Sequence, residues 1–124
     1  MAELDQSLLE ALVARSLEHP ATAFNGVVRF DVDAGGRTDS WYLTIVKGVV
    51  TVSSKGGESD CVVTGDVATF DAVLSGKANA MAALLRGALA AQGKFILMTA
   101  LQRLFPGSPG AVGLPTAGYA ERQS

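Results

Sequence analysis

The side chains best suited to covalent or acid–base chemistry are few in this chain and stand far apart. Cys61 is the one cysteine and His19 the one histidine among 124 residues. A reactive thiol needs a nearby base or cation that favours the thiolate, and no histidine stands near Cys61 in the sequence. Cys61 alternates with Val63 in an apolar run and reads as a small buried strand residue. His19 precedes Pro20 at the end of a helical pattern and reads as a helix C-terminal cation or an exposed loop residue. One His and one Cys at this separation do not make a zinc site. A Ser-His-Asp triad would have to recruit His19, and no Gly-x-Ser-x-Gly elbow exists. Gly35-Gly36 and Gly56-Gly57 lack the Walker and dinucleotide spacings. Asp31 and Asp33 share one side of a strand and read as a solvated edge. Arg86, near a helix end, either complements the helix dipole or grips the head group of a ligand. The inventory therefore predicts no catalytic residue, no metal and no cofactor.

Bulk composition narrows the class. A chain of 124 residues makes one domain. A domain of that size buries about two-thirds of its unfolded surface, enough for a core without disulfides. Apolar residues make up 48% and charged residues 18%, below the usual ~25% charged. No apolar run approaches the ~20 residues that span a bilayer. Net charge is −2, with Lys and Arg scattered singly. Nucleic-acid binders carry a basic stripe with aromatics, so nucleic acid is not an expected partner. The opening Met1-Ala2-Glu3-Leu4-Asp5 lacks the basic stretch of a signal peptide. With a single cysteine, that favours a soluble, cytoplasmic protein.

Periodicity supplies the elements. Residues 2–18 carry Leu4, Leu8, Ala11 and Leu12 at helical spacing, and Pro20 ends the helix through its effect on His19. The period then changes to two. Val28, Phe30 and Val32 form one apolar face, Trp41, Leu43 and Ile45 a second, Val50 and Val52 a third, and Cys61 and Val63 a fourth. Short Gly-bearing links at residues 34–37, 47–48 and 55–58 read as hairpins, which predicts an antiparallel meander. Asp66 is a good N-cap for a helix carrying Phe70, Val73 and Leu74, and Gly76 fits its left-handed end. A short helix over 79–86, a fifth strand within 87–92 and a last helix over 93–105 complete the order. Residues 107–124 read as a flexible tail of turn composition; Tyr119 in it is expected to be exposed. Strands in a run with helices outside it indicate an α+β layer, an antiparallel sheet covered on one face.

Several stretches in this order resemble the sterol carrier protein 2 (SCP2) family of lipid-binding domains. They are Ser40-Trp41-Tyr42-Leu43-Thr44-Ile45, Lys47-Gly48-Val49-Val50-Thr51-Val52, Cys61-Val62-Val63-Thr64-Gly65-Asp66, Phe70, Leu74-Ser75-Gly76-Lys77-Ala78-Asn79, Gly87 to Lys94, and Leu104-Phe105. The resemblance implies one domain over residues 1–106, a five-stranded, mainly antiparallel sheet with helices on one face, and an apolar tunnel between them. It implies a sterol, fatty acid, fatty acyl-CoA or phospholipid as ligand and no catalysis. It is compatible with transient membrane contact and with a monomer or weak homodimer. One departure is Gly93-Lys94 where the family commonly shows Gly-Asp, which leaves the last helix without a capping acid. The C-terminus is not a peroxisomal Ser-Lys-Leu address, which points to a bacterial stand-alone member.

The residues themselves say less about a tunnel. From Ala78 to Ala91 alanine dominates, and small side chains over a sheet either leave volume unfilled or are good helix formers. Candidate tunnel walls are Trp41, Leu43 and Ile45 from the sheet and Phe70, Leu74, Met81, Leu84, Leu85, Met98, Leu101 and Phe105 from the helices; each is equally a candidate core residue. At about 24 cal/mol per Å³, a dry void of roughly 300 Å³ costs about 7 kcal/mol. That rivals the total stability of a domain, about 5–15 kcal/mol. A tunnel here is expected to be occupied, partly collapsed or open to solvent. The reading is non-catalytic lipid binding, with intracellular transfer as its extension. Two alternatives remain: an accessory protein presenting a quinone- or polyketide-like intermediate to enzymes, and an interaction scaffold with a closed pocket.

Overall fold

The computed structural model describes residues 4–20 and 23–105. Helix α1 spans Gln6–Glu18. It starts later than residue 2 because Asp5 caps it: the Asp5 carboxylate accepts from the Ser7 amide at 2.9 Å and from the Ser7 hydroxyl at 2.7 Å. It ends at His19, as the following proline requires. Strands β1 (Gly26–Asp33), β2 (Thr38–Val46), β3 (Val49–Ser53) and β4 (Cys61–Asp66) follow. Then come α2 (Val67–Leu74), α3 (Ala80–Leu85), β5 (Leu89–Gly93) and α4 (Phe95–Gln102).

Five strands form one sheet in the order β3-β2-β1-β4-β5. The β1–β2, β2–β3 and β4–β5 pairs are antiparallel. The turn joining β2 to β3 has positive φ at both Lys47 (50°) and Gly48 (81°). That is the geometry whose twist matches a two-residue hairpin. The register sets Ile45 opposite Val50 and Phe30 opposite Trp41. Val28, Phe30, Val32, Leu43, Ile45, Val50, Cys61 and Val63 thereby share a buried face that packs under the helices.

The expected meander stops at β3. Strand β4 lies beside β1, not β3, and runs parallel to it, with Val28 opposite Cys61. The glycine-bearing link is a crossover. Residues 54–60 can reach about 20 Å when extended, enough for the ~14 Å of three strand spacings. The link passes over the outer face of the sheet at Tyr42: a Cβ at Gly56 would stand 2.5 Å from the Tyr42 ring. Asp60 then fixes the landing. Its amide donates to the Val27 carbonyl at 2.8 Å, its carboxylate accepts from the Val27 amide at 2.9 Å, and its carbonyl accepts from the Lys94 amide at 2.8 Å.

This topology also corrects the reading of Asp31 as edge residue. β1 is the central strand. On its outer face Asp31 accepts from Arg29 Nε at 2.9 Å and from the Ser40 hydroxyl at 2.8 Å. That pairing holds the Arg29 guanidinium above its ordinary pKa. The edges are β3 and β5, and on β3 the Ser16 hydroxyl of α1, fully buried, accepts from the Val50 amide at 2.9 Å.

The remaining caps follow the residue types. Asp66 caps α2 through the Thr69 amide at 2.7 Å, and Gly76 beyond it takes φ 86°. Asn79 caps α3 through the Ala82 amide at 3.0 Å. Helix α4 starts at Phe95 and not at Gly93, because Gly93 still pairs with Cys61 in the sheet at φ 97°. Lys94, its N-cap, makes no side-chain capping bond, as Lys in place of an acid predicts. None of the described helices is long and apolar enough to cross a membrane.

Candidate functional site

At the end of the sheet carrying the β2–β3 turn, the inner face opens into a small apolar pocket. Ile45, Gly48 and Val50 line it from the hairpin, Ala100, Leu101 and Leu104 from α4 and the turn after it, and Phe24 from the segment before β1. The hairpin brings these groups together. Its two-residue turn sets Ile45 opposite Val50, and the Gly48 amide donates to the Phe24 carbonyl at 2.9 Å, which draws Phe24 to the same end. The pocket holds about 20 Å³, room for about one water molecule. Its two charged or polar side chains are His19 and Arg103, the C-caps of α1 and α4; no carboxylate lines it.

A second concavity of about 190 Å³ lies between α1 and the far ends of β2 and β3, lined by Leu9, Val13, Trp41 and Val52. It is wider and more open, and Gln6, Glu10, Ser53 and Ser54 make its rim polar. A ligand's apolar body is held best where water is excluded on most sides, so the smaller, more enclosed pocket under α4 is the better candidate. Trp41 has a buried Nε1 with no hydrogen-bond partner among the described residues.

The predicted wall residues do not converge on one opening. Trp41, Leu43 and Ile45 do point to the helix-covered face, as the alternation predicts. Ile45 and Leu101 line the pocket under α4, and Trp41 lines the groove. Leu43, Phe70, Leu74, Met98 and Phe105 are buried in the core, with the Phe70 ring 4.9 Å from that of Phe30. Met81 and Leu84 are half-buried. Leu85 is 83% exposed. Arg86, the C-cap of α3, is exposed and lines neither concavity. Residues 78–91 line neither concavity, and Ala80 and Ala83 are fully buried. The expected flexible tail, residues 107–124 with Tyr119, lies outside the described residues.

The model of the SCP-2 sterol transfer family matches residues 7–106. This chain belongs to that family. The SCP-2 family is one of lipid-binding domains, and its fold is the one described above. The chain is similar to sterol carrier protein 2 from Yarrowia lipolytica in its apo form, at 30% identity, covering 70% of this chain and 74% of that one, with a TM-score of 0.53. It is similar in fold to palmitated SCP2L2 from Aedes aegypti, at 16% identity over 86% and 96% of the two chains, TM-score 0.67. It is likewise similar to sterol carrier protein 2 from Aedes aegypti in complex with the C16 fatty acid palmitate, at 18% identity over 85% and 97%, TM-score 0.64. No curated protein matches the chain.

Within this SCP-2 domain, the pocket residues that sequence reasoning missed are Phe24, Gly48, Val50, Ala100, Arg103 and Leu104, and His19 as a lining group. Their signal was weak because they come from four separate segments joined only by the hairpin's position. Cys61 sits apart from the pocket in β4, buried; burial foremost, then the neighbouring Asp60 charge, pushes its thiol pKa up. A thiol held protonated is a poor nucleophile. Among the described residues, no group of three or more His, Cys, Asp or Glu could hold a metal ion.

Proposed function

We propose that this SCP-2 domain binds the hydrocarbon tail of a single-chain lipid, entering at the pocket under α4 and extending between the sheet and the helices. The observation that carries the reading is the apolar pocket itself: a helix-to-sheet gap lined by Ile45, Val50, Leu101 and Leu104 in a chain of this family. Two structurally similar domains are described with palmitate, which favours a fatty acyl ligand.

The volume sets a condition. About 20 Å³ is far below the roughly 300 Å³ of a ligand site, so the tail enters only if α4 moves away from the sheet. The closed form avoids the large cost of a dry cavity. Helix α4 is suited to moving: it is short and starts without a side-chain cap, and such a cap contributes about 1 kcal/mol. Met98 and Phe105, carried by α4 and its exit turn, then join Leu43, Phe70 and Leu74 as walls of the opened tunnel.

The test is saturable binding of a fluorescent fatty-acid analogue to delipidated protein, together with mass spectrometry of lipid released on denaturing the purified protein. Ala100→Phe, which places a ring in the pocket mouth, is expected to abolish binding while far-ultraviolet circular dichroism is unchanged. Saturable binding that survives Ala100→Phe in a folded variant refutes entry at this pocket. Failure to bind any of several lipids refutes the lipid reading and favours an interaction scaffold with a closed pocket.

A further inference from the structure

We propose that the β5 edge of the domain, from Leu85 at the end of α3 to Ile96 in the first turn of α4, is a docking surface for an anionic lipid bilayer. It lies apart from the pocket: Leu85, Arg86, Lys94, Phe95 and Ile96 line neither concavity described above. Charge along the chain is the first observation. Residues 1–71 hold eleven of the twelve Asp and Glu, and residues 72–120 hold none. Four of the ten Lys and Arg fall in that acid-free stretch: Lys77, Arg86, Lys94 and Arg103. Exposure is the second. Among the described residues five large apolar side chains are exposed, and three of them, Leu85 (83%), Phe95 (42%) and Ile96 (57%), fall in the same stretch.

The fold sets these groups along one edge. β5 pairs only with β4, and α3 and α4 both pack against it. Leu85 and the C-cap Arg86 precede β5, and the N-cap Lys94, Phe95 and Ile96 follow it. The strand between them has five residues, a length of ~16 Å. All five flanking side chains are exposed, as are Gln92 and Gly93 at the strand's end. No described acid pairs with Arg86 or Lys94. Asp60, whose carbonyl accepts from the Lys94 amide, turns its carboxylate to the Val27 amide at 2.9 Å.

This composition matches a bilayer. Bulky apolar side chains enter the acyl boundary while Lys and Arg stay at the anionic head groups. A peptide or helix would need a shaped seat, and neither described concavity lies here; a fluid bilayer needs none. Helix α1 is the opposite case. It exposes Leu17 beside Glu18, and it carries Glu10 and the Asp5 cap against one cation, Arg15, so an anionic surface repels it. Docking at Phe95 and Ile96 would hold one end of α4, while Ala100 and Leu101 towards its other end line the pocket.

The test is co-sedimentation of the full chain with vesicles of pure phosphatidylcholine, or of phosphatidylcholine and phosphatidylglycerol in equal parts. The wild type is expected to bind the mixed vesicles, to leave them at high salt and to bind pure phosphatidylcholine far more weakly. Each lost cation should weaken binding about fivefold, so Arg86→Gln with Lys94→Gln should weaken it about twentyfold or more. Lys55→Gln, in the acid-bearing part of the chain, should change nothing. Ile96→Trp gives a positional readout: its emission should shift to the blue on mixed vesicles and be quenched by brominated lipid, whereas that of Leu17→Trp should not, both read against the single native Trp41. Phe95→Ser should weaken vesicle binding with circular dichroism unchanged and with uptake of the fluorescent fatty-acid analogue from solution unchanged. Vesicle binding as expected in a protein that takes up no lipid would support the docking surface and refute the pocket reading alone. Equal binding to both vesicle types, an equal loss with Lys55→Gln, or quenching of Leu17→Trp in place of Ile96→Trp overturns the docking surface. A wild type that sediments as a dimer and becomes a monomer in Phe95→Ser assigns the edge to a second copy and overturns it as well. Binding to polyglutamate as tight as to mixed vesicles, with Phe95→Ser without effect on either, assigns the cations to an acidic polymer and overturns it too.

Discussion

The hydroxyl of Ser16 in α1 accepts the amide N–H of Val50 in β3 at 2.9 Å, while donating to the Val13 carbonyl at 2.6 Å. One small side chain thus satisfies the outward amide of an edge strand and seats a helix on it. Ser16→Ala leaves the Val50 N–H buried without a partner. The expected loss of unfolding free energy is about 1–3 kcal/mol, read from urea midpoints. A loss below about 0.5 kcal/mol, within the range of ordinary surface substitutions, would mean that water or another group reaches the Val50 amide.

Asp66 links stability to pH. Its hydrogen bonds with Thr69 hold its carboxyl below the ordinary aspartate value. A group whose folded pKa is depressed stabilises the fold above its unfolded pKa, and that contribution is lost as pH falls through the folded value. The window therefore lies below about pH 4, and the effect is modest because Asp66 is exposed. Asp66→Ala should cost about 1 kcal/mol at pH 7. Asp66→Asn should keep most of the cap but flatten part of the acid-side fall in Tm below about pH 4, measured by thermal melts.

Gly56 and Gly57 should behave differently although they are adjacent. A Cβ at Gly56 meets the Tyr42 ring at 2.5 Å, whereas one at Gly57 meets nothing within 4 Å. Gly57→Ala should be neutral or slightly stabilising, by reducing the freedom of the unfolded chain. Gly56→Ala should destabilise by about 1–3 kcal/mol through overpacking. Adding Tyr42→Ala should remove most of that penalty in a double-mutant cycle. An additive cycle would place the crossover link elsewhere.

Cys61 should resist thiol reagents. It is buried, and burial raises its thiol pKa. Labelling of the native protein at pH 8 should proceed at least a hundredfold more slowly than in denaturant, on the order of the opening equilibria that protect core groups. Rapid native labelling would show that β4 opens locally.

Leu85 separates exposed from buried members of the apolar set. At 83% exposure, Leu85→Ser should change stability by no more than about 0.5 kcal/mol and leave lipid uptake unaltered. A drop in uptake would place Leu85 against ligand in the open form.

Much of the fold was legible because the alternation of Val28, Phe30 and Val32, or of Leu43 and Ile45, encodes which face is buried whatever the partner strand. The partner of β4 was not legible. It is set by Asp60 meeting Val27, a long-range contact, and a glycine-bearing link gives the same local signal for a crossover as for a hairpin. The missing cap of α4 could be read from Lys94 standing where the resembling family commonly has an acid. Ser16 could not, since a single serine on an apolar helix face does not announce the strand it serves. The site was the least legible part. Apolar side chains suit core and tunnel equally, and alanine proved ambiguous in the same way: Ala80 and Ala83 are fully buried in the core, whereas Ala100 lines the pocket.

The parallel pairing of β1 with β4 has a consequence for how the chain comes off the ribosome. β1, β2 and β3 can zip as successive hairpins from neighbouring segments, a microsecond-scale process. β1 then waits with one side unpaired until β4 has been made and the link has swung across the sheet. Non-local pairing of this kind slows folding, and an unpaired strand edge invites association with other chains. Synthesis at about 5–20 residues per second leaves that side of β1 bare for seconds. Nascent chains halted just after β3 should therefore be the most aggregation-prone, and those extending past β4 should be markedly less so.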